Sequence, residues 1–374
     1  MKSIVLEIMK LRNGKRPMID YRNSNRYCIV VSEDNGTKTT YCFGVPIYNK
    51  KTRKLVDLRF HEINETWKSY GSTAETTVGS DLCIENGEGS CRVLLPGEIL
   101  SGTEASVMYG AAEIVPTLNG VCVRVPCSTH QPYDVTIIPR QPFMNVRGND
   151  RYFSLMSEKF RPFVTVSCIG VTDGSGQVIA PCSLEYQKNN DNEFALSIRH
   201  TSPYGSYILF EVNLHEAKLF QDTTVESLHP DTNNAFGTTA FLGKTAAYGE
   251  QWLYSRADFA LLPELADKQI IRATMHLPWH GGHSELTSFG LTTRFCSFGS
   301  NWDNKIAAAD ELSDTYEING YHSLNITSLL IDRSRFLKPS EGFILKPKMK
   351  GNSFCAIATG DSSYSPQILE VNYR

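Results

Sequence analysis

The sequence lacks the features of several common protein classes. No window approaches the roughly 18 consecutive apolar residues of a membrane-spanning helix. The N-terminus, MKSIVLEIMKLRNGKRP, is interrupted by Glu7 and Lys10 and has no small-residue cleavage site of a signal peptide. With a net charge of −3, no attraction to nucleic acid or insertion into a membrane is expected. We expect a protein made and assembled in the cytoplasm, which reaches a virion or cell surface only after release.

Motifs of catalytic sites are missing as well. No G-x-S-x-G elbow, no S-x-x-K set with its companion motifs and no papain-like cysteine signature occurs in the 374 residues. The glycine-rich segments near Gly87 and Gly174 lack the strand-to-helix setting and the lysine of a phosphate loop, so we interpret them as hairpin tips. The sequence therefore predicts a protein that is not an enzyme.

Cysteine occurs ten times, but without a C-x-x-C pair or a dense cluster with histidine. Some pairs are close enough in sequence to face each other across a hairpin: Cys28 with Cys42, Cys83 with Cys91, Cys122 with Cys127, and Cys168 with Cys182. Bridges at these pairs are one interpretation. Because no export signal is recognisable, we favour reduced thiols that act as small buried hydrophobic side chains.

The sequence is rich in short segments that alternate between apolar and polar residues and are separated by glycine, proline, asparagine and aspartate. This pattern is typical of half-buried antiparallel strands. Helix signals are rare, and we expect the longest helix near Ile326 to Arg335, with Asn325 and Thr327 as candidate caps. The sequence predicts an all-β fold of tandem β-sandwich or jelly-roll domains.

Three domains are predicted from the spacing of these segments. The segment PRQPFMNVRGND, with two prolines and a Gly-Asn-Asp run, is interpreted as a linker. The predicted domains are an N-terminal β-sandwich at residues 1–140, a small middle β-sandwich at 150–218 and a jelly roll at 219–374. We expect the small middle domain to pack on a neighbour, because about 65 residues bury only a marginal core.

Four segments of the last domain carry a resemblance to a known family. They are DTTV…HPDTNNAFGTTAFLG, LPELADKQIIRATMHL, NITSLLIDRS followed by EGFILKP, and SPQILEVNY. Their order resembles the DNRLRE family of jelly-roll domains, which occur in secreted bacterial proteins and are related to carbohydrate-binding modules. The hexapeptide that names the family is absent, and YSRADF stands where the related strand would lie. The resemblance implies a jelly roll and suggests a carbohydrate ligand.

Aromatic residues of this domain are candidates for sugar binding, because the apolar face of a pyranose stacks on a flat ring. We interpret Trp252 and Trp302 as core residues. Trp279 lies in a predicted loop and is the candidate for an exposed stacking surface. His280 and His283 beside it are candidate hydrogen-bond partners of sugar hydroxyls.

Two groups of residues are candidates for metal binding. The first is MHLPWHGGHSE, in which a proline and two glycines make a helix improbable, so we favour exposed loop histidines over a zinc site at His276, His280, His283 and Glu285. The second is a set of acidic residues that offers oxygen ligands for a structural calcium, which carbohydrate-binding sandwiches often carry: Asp303, Asp310, Glu311 and Asp314. Acidic loops are also commonly just solvated, and no other cofactor is expected.

The predicted function is that of a non-catalytic structural or adhesion component of a large assembly, such as a bacteriophage virion or related particle, that contacts surface glycans. Its expected partners are other subunits of that assembly, including copies of itself, and surface polysaccharide. The alternative is a glycan-binding module protein of a bacterial surface. Both follow from strand-rich domains without a catalytic motif, and fold class alone does not separate them.

The interpretation of the cysteines can be tested directly. If the thiols are reduced, titration of denatured, unreduced protein with Ellman's reagent will find most of the ten cysteines free. A count of two or fewer would contradict the expected compartment.

Overall fold

The computed structural model describes residues 4–87, 89–127, 131–158, 161–190, 192–201, 205–215, 218–258, 261–262, 265, 267–282, 288–292, 299–305, 311–312, 315–331, 342–346 and 351–374. Strands make up 55% of the structure and pair in a mostly antiparallel way, so the predicted all-β class is confirmed. Within the described part of the chain, no helix is both long enough and apolar enough to cross a membrane.

The elements are short and follow one another closely. The helices are α1 (Ile4–Leu11) and α2 (Thr327–Ile331). The strands in chain order are β1 (Cys28–Ser32), β2 (Lys38–Phe43), β3 (Asp57–Ile63), β4 (Thr66–Tyr70), β5 (Glu75–Val78), β6 (Leu82–Asn86), β7 (Gly89–Leu94), β8 (Ile99–Gly102), β9 (Val107–Tyr109), β10 (Ala112–Pro116), β11 (Gly120–Pro126), β12 (Tyr133–Pro139), β13 (Asn145–Gly148), β14 (Tyr152–Met156), β15 (Pro162–Thr172), β16 (Val178–Ala180), β17 (Ser183–Asn190), β18 (Glu193–Arg199), β19 (Tyr207–Leu214), β20 (Phe220–Glu226), β21 (Thr239–Thr245), β22 (Gly249–Ala257), β23 (Ile270–Gly282), β24 (Ser288–Thr292), β25 (Glu311–Leu312), β26 (Thr315–Ile318), β27 (Tyr321–Asn325), β28 (Gly342–Lys346), β29 (Phe354–Ala358) and β30 (Ile368–Tyr373).

The chain divides into two compact units that differ from the three predicted domains. Residues 48–216 form the first unit, and residues 4–47 together with 217–374 form the second. The predicted N-terminal and middle domains meet in one unit because β11 pairs along its length with β19, and β12 pairs with β18. The first strands leave the predicted N-terminal domain because β2 pairs with β30 at the other end of the chain.

The first unit contains two antiparallel sheets. One has the order β3-β4-β5-β6-β7-β12-β18-β17. The other follows β8-β9-β10-β11-β19-β15-β14-β13, with β16 on the far end of β15. Residues from both sheets form a single hydrophobic cluster, which includes Phe153, Phe194 and Phe210. The alternation of Ala112 and Ile114 with the half-buried Glu113 in β10 shows how the period of two creates this buried face.

The second unit also has two sets of strands around one core. The first set is β1-β2-β30-β23-β27-β26. In the second set β22 pairs with β20 on one side and with β21 and β28 on the other, β21 continues to β29, and β28 to β24 and β25. The 13-residue strand β23 belongs to both, since Thr274–Pro278 pairs with β27 and Trp279–Gly282 pairs with β29.

The structure describes two short helices. Among the described residues α1 has eight residues and α2 has five, and residues 332–335 of the predicted helix lie outside the described residues, so its predicted length stays a prediction. Ile4, Ile8 and Leu11 of α1 are buried, at the spacing of a helix with one apolar face. Asn325 does cap α2, because its side-chain oxygen accepts the N–H of Thr327 at 3.1 Å.

The cysteines can now be placed. None of the nine described cysteines lies in a disulfide, and all but Cys83 are buried. Cys28 and Cys42 lie directly opposite each other on β1 and β2, as the hairpin interpretation requires. Cys122 and Cys127 do not face each other, because both follow the course of β11 and are separated by about 16 Å at about 3.3 Å per residue.

The shared core of the first unit gives a test of this division. Phe210, on the central strand β19, is fully buried. Its replacement by alanine should lower the free energy of unfolding by about 3–5 kcal/mol. Leu100, which is 66% exposed, is the control position, and Leu100→Ala should change the free energy of unfolding by less than about 0.5 kcal/mol. Urea denaturation measures both, and a small effect of Phe210→Ala would contradict the shared core.

Candidate functional site

Two tryptophans meet on the face of β22 that points away from the main core of the second unit. Trp252 lies on β22, and its ring centroid is 5.3 Å from that of Trp302, with 58° between the ring planes. Both rings pack on a separate small cluster formed by Val225, Tyr254 and Ile344. Since alternate residues of a strand point to opposite faces, the intervening Leu253 belongs to the main core instead.

The segment that carries Trp302 is fixed by asparagine side chains. The amide N–H of Asn301 donates to Oδ1 of Asn304 at 2.9 Å, and the N–H of Asn304 donates back to Oδ1 of Asn301 at 3.1 Å. Nδ2 of Asn304 also donates to the carbonyl of Gly299 at 2.8 Å. Asn233 donates to the carbonyl of Ser300 at 2.8 Å, which ties the segment to the loop after β20. Asparagine suits such turns because its side chain can replace backbone partners.

Charged groups surround the two rings. Nζ of Lys305 lies 4.0 Å from the centroid of the Trp302 ring, and Nζ of Lys346 lies 4.7 Å from that of Trp252. These are cation–π distances. The indole N–H of Trp252 donates to Oε1 of Glu250 at 2.8 Å, which fixes the orientation of the ring. We call Trp252, Trp302, Lys305 and Lys346 the tryptophan platform.

The structure refines one sequence interpretation. Trp252 and Trp302 pack on a buried hydrophobic cluster, but this cluster is separate from the main core of the second unit, and both side chains are only partly buried. The arrangement offers partly exposed indole surface, two ammonium groups and one carboxylate within a small area. Such a combination can stack on the apolar face of a sugar ring and pair with a charged substituent of that sugar.

The three predicted site residues lie elsewhere. Trp279 is part of β23 and not of a loop. Its backbone N–H donates to the carbonyl of Gly320 at 2.9 Å, and its partly buried ring packs against the main core. The ring also makes an edge contact with His322, with centroids 6.1 Å apart. His280 is in β23 as well and is partly buried, whereas His283 lies outside the described residues. The expected exposed loop position of Trp279 is therefore wrong.

Two glycines explain this error. Gly281 and Gly282 have positive φ angles, 153° and 79°, and form an irregularity in β23 instead of ending it. A Cβ atom at Gly282 would lie 2.3 Å from the carbonyl oxygen of Phe354, so the close approach of β29 requires glycine there. A Gly-Gly pair that looks like a turn in the sequence thus extends the strand.

His276 is buried rather than exposed, and both its ring nitrogens have partners. Nδ1 lies 2.8 Å from the hydroxyl of Ser323, and Nε2 lies 3.1 Å from Oε2 of Glu370. A serine, a histidine and an acid in this order have the connectivity of a hydrolase triad. Ser323, however, is fully buried in β27 between β23 and β26, where its backbone is engaged in sheet pairing. We interpret the array as a hydrogen-bond network that stabilises the sheet.

A second histidine lies close to a thiol. Nε2 of His322 is 3.4 Å from Sγ of Cys355, and both residues are buried. Burial lowers the pKa of His322 and raises the pKa of Cys355 to about 12. The thiol therefore stays protonated at neutral pH, and it is the thiolate that acts as a nucleophile.

The metal predictions fall largely outside the described residues. Where the structure describes side chains, no group of three or more histidines, cysteines or acids is placed to hold a metal ion. Of the predicted calcium ligands, only the side chain of Asp303 is described, and it is exposed. The remaining calcium ligands, with His283 and Glu285 of the lesser zinc interpretation, are not described. Both metal sites stay predictions.

No protein-family model matches the chain, and no curated protein matches its sequence. The resemblance to the DNRLRE family stays a prediction, and the candidate site rests on the geometry of its own residues.

The buried His322 predicts a pH dependence of stability. Its pKa is lowered in the folded state, so the unfolded chain binds more protons below the ordinary histidine pKa of about 6.5. The contribution of neutral His322 is therefore present above that pH and is lost as the pH falls through the lower folded pKa.

We expect the free energy of unfolding to decrease between pH 7 and pH 5, and to decrease less in His322→Gln, which carries no titratable ring. Urea denaturation at several pH values, with both proteins compared at pH 8 as reference, measures this. If the free energy of unfolding decreases equally with falling pH in both proteins, protonation of His322 does not destabilise the folded state.

Proposed function

We propose that this protein is a non-catalytic adhesion component of a large assembly, such as a bacteriophage virion or related particle, and that it binds surface glycans through the tryptophan platform. The observation that carries this proposal is the contact of Trp252 with Trp302 at 5.3 Å on a face outside the main core. Two adjacent indoles supply stacking area at a low cost in side-chain entropy.

The lysines suggest which glycans bind. Lys305 and Lys346 hold their ammonium groups close to the two rings, within reach of a charged substituent of a sugar that contacts the exposed indole surface. A uronic acid or another acidic sugar can pair its carboxylate with these ammonium groups while its C–H face contacts an indole. We therefore expect acidic polysaccharides to bind more tightly than neutral ones, with an affinity that decreases as salt is added.

The assembly part of the proposal is supported by the fold. Each unit is built from antiparallel sheets, and the His276 and His322 arrays are buried within strands of the second unit. Size-exclusion chromatography with mass measurement tests this part: a stable homo-oligomer supports a particle component, and a monomer that binds glycan supports the bacterial surface module.

The platform residues provide the test of glycan binding. Trp252→Ala and Trp302→Ala should each weaken binding of polygalacturonate by about tenfold or more, since truncation of a central stacking tryptophan costs about 2 kcal/mol or more. The double variant Lys305→Gln/Lys346→Gln should weaken the binding of polygalacturonate less than the tryptophan variants do, and should remove the salt dependence of that binding. Affinity electrophoresis measures this, with neutral galactan in a parallel gel.

Trp279→Phe is the matched control, because phenylalanine retains much of the packing of Trp279 against the core. It should leave both binding and melting temperature nearly unchanged. Loss of binding in this variant, with the platform variants unaffected, would move the site to the position predicted from the sequence. If an array of acidic and neutral glycans gives no signal with the wild type, the proposed function is wrong.

A further inference from the structure

A lysine and two aspartates meet inside the second unit, away from the tryptophan platform. Lys218 lies just before β20, and Asp361 lies in the turn between β29 and β30. Nζ of Lys218 is in direct contact with Oδ1 of Asp361, and the side chains are 14% and 3% exposed. An ion pair in such a place pays a large desolvation cost, so the presence of the pair calls for a physical reason.

Asp222 is the third member of this cluster. It lies on β20 on the same face as the fully buried Phe220 and is itself buried. Its Oδ2 accepts the amide N–H of Gly360, the residue before Asp361, while its Oδ1 is buried without a hydrogen-bond partner among the described residues. A buried carboxyl oxygen without a partner is expensive if the group is ionised, which favours the protonated acid.

The electrostatic surroundings agree with this geometry. Burial raises the pKa of Asp222 to about 7, against the opposing effects of the Gly360 amide and the charge of Lys218. A buried ion pair carries a desolvation cost, and transfer of one proton from Lys218 to Asp361 converts the pair into a neutral amine and a neutral acid. A neutral lysine amine in an apolar setting is a nucleophile.

The position of the reacting groups is fixed on both sides. The turn after β29 is held by Thr359, whose N–H donates to the carbonyl of Thr238 at 3.1 Å and whose hydroxyl donates to that of Gly237 at 2.7 Å. A Cβ at Gly360 would lie 2.7 Å from Cβ of Phe220, so only glycine lets the turn approach β20 this closely. The ring of Phe236 lies 6.0 Å from Nζ of Lys218 and adds to the apolar wall.

We propose that Lys218 and Asp361 condense to an intramolecular amide, and that Asp222 moves the protons for this reaction. Nζ of Lys218 attacks Cγ of Asp361, the new N–C bond forms, and the C–O bond to the departing hydroxyl breaks. Asp222 takes one proton from the nitrogen and gives one to the hydroxyl, which leaves as water. The step is neither oxidation nor reduction, and Asp222 ends in the protonation state in which it began.

The amide would join the start of β20 to the turn that follows β29. It closes the chain from residue 218 to residue 361 into a covalent ring that includes most of the strands of the second unit. Holding two groups in contact within a rigid site converts their reaction into an intramolecular one, which is the main requirement for a condensation that proceeds without a separate enzyme. This inference does not depend on glycan binding.

The mass of the intact, denatured protein tests the proposal. We expect the purified wild-type chain to be lighter than its sequence by the mass of one water molecule, and we expect Lys218→Arg and Asp361→Ala to have their full sequence masses. Lys244→Arg, at an exposed lysine of β21, is the matched control and should keep the loss. Digestion should give a branched peptide that joins the segments around residues 218 and 361.

The role of Asp222 has its own variant. Asp222→Asn keeps the size of the side chain but removes its acid, so it should fold, as circular dichroism can verify, and retain the full sequence mass. If this variant still loses water and forms the branched peptide, the amide stands and the proton transfer by Asp222 is wrong.

Two outcomes would overturn the amide itself. The first is a wild-type chain that has its full sequence mass although it is folded. The second is a loss of water that persists in Lys218→Arg, since this would indicate a cyclic imide at Asp361 rather than a bond to the lysine. If the variants do not fold, the presence or absence of the branched peptide in the wild type still decides the question.

Discussion

Both units depend on backbone hydrogen bonds between strands that are far apart in the chain. In the second unit β2 pairs with β30 over the full length of both strands, from Lys38 opposite Tyr373 to Phe43 opposite Ile368. In the first unit β11 and β19 pair from Gly120 opposite Asn213 to Pro126 opposite Tyr207. Such pairing costs loop-closure entropy before any contact is gained. The burial of both faces of these strands must offset this cost, and β2 is accordingly almost entirely buried.

This constraint explains which parts of the fold could be read from the sequence. Local spacing is sufficient where the partners are adjacent: Cys28 and Cys42 are close enough in sequence to face each other across a hairpin, and β1 and β2 place them opposite each other. The alternation of apolar and polar residues likewise predicts short antiparallel strands, which the structure contains. The two compact units differ from the three predicted domains because the sequence pattern assigns each strand to its neighbours in sequence. Nothing in the composition of β1 and β2 shows that they belong with β30.

The candidate site shows the same limit at the level of side chains. The sequence indicated that aromatic residues of the last third are suitable for sugar binding, and the structure places two of them together. Alternation separates Leu253 from Trp252 but does not tell which of the two faces meets the core. Trp302 reaches Trp252 across about fifty residues, a contact that depends on the asparagine-stabilised turn. Trp279 was misplaced because a Gly-Gly pair can either end a strand or permit a close approach of its neighbour.

The buried polar groups of the second unit differ in a way that separates structural from chemical roles. In the network of His276, Ser323 and Glu370 each partner is hydrogen-bonded, as is required of a polar cluster that contributes to stability. Asp222 instead keeps a buried carboxyl oxygen without a hydrogen-bond partner among the described residues, and Asp361 is paired with the buried Lys218. A fold tolerates an unpaired buried oxygen at a cost of about 1–3 kcal/mol, and condensation would replace the buried ion pair by a neutral amide.

The geometry of β20 connects the two proposals. Val225 on one face of this strand supports Trp252, and Asp222 on the other face is the acid beside Lys218 and Asp361. Force applied to a glycan on the tryptophan platform would pull on β22 and, through its pairing with β20, on the segment that begins at Lys218. The hydrogen bonds of a strand pair can be broken one after another, because water replaces each lost partner. An amide between that segment and the turn after β29 is a covalent bond and is not replaced in this way. An adhesion surface and a covalent closure of the same sandwich are therefore mechanically consistent, since the closure lies on the strand through which the load would enter.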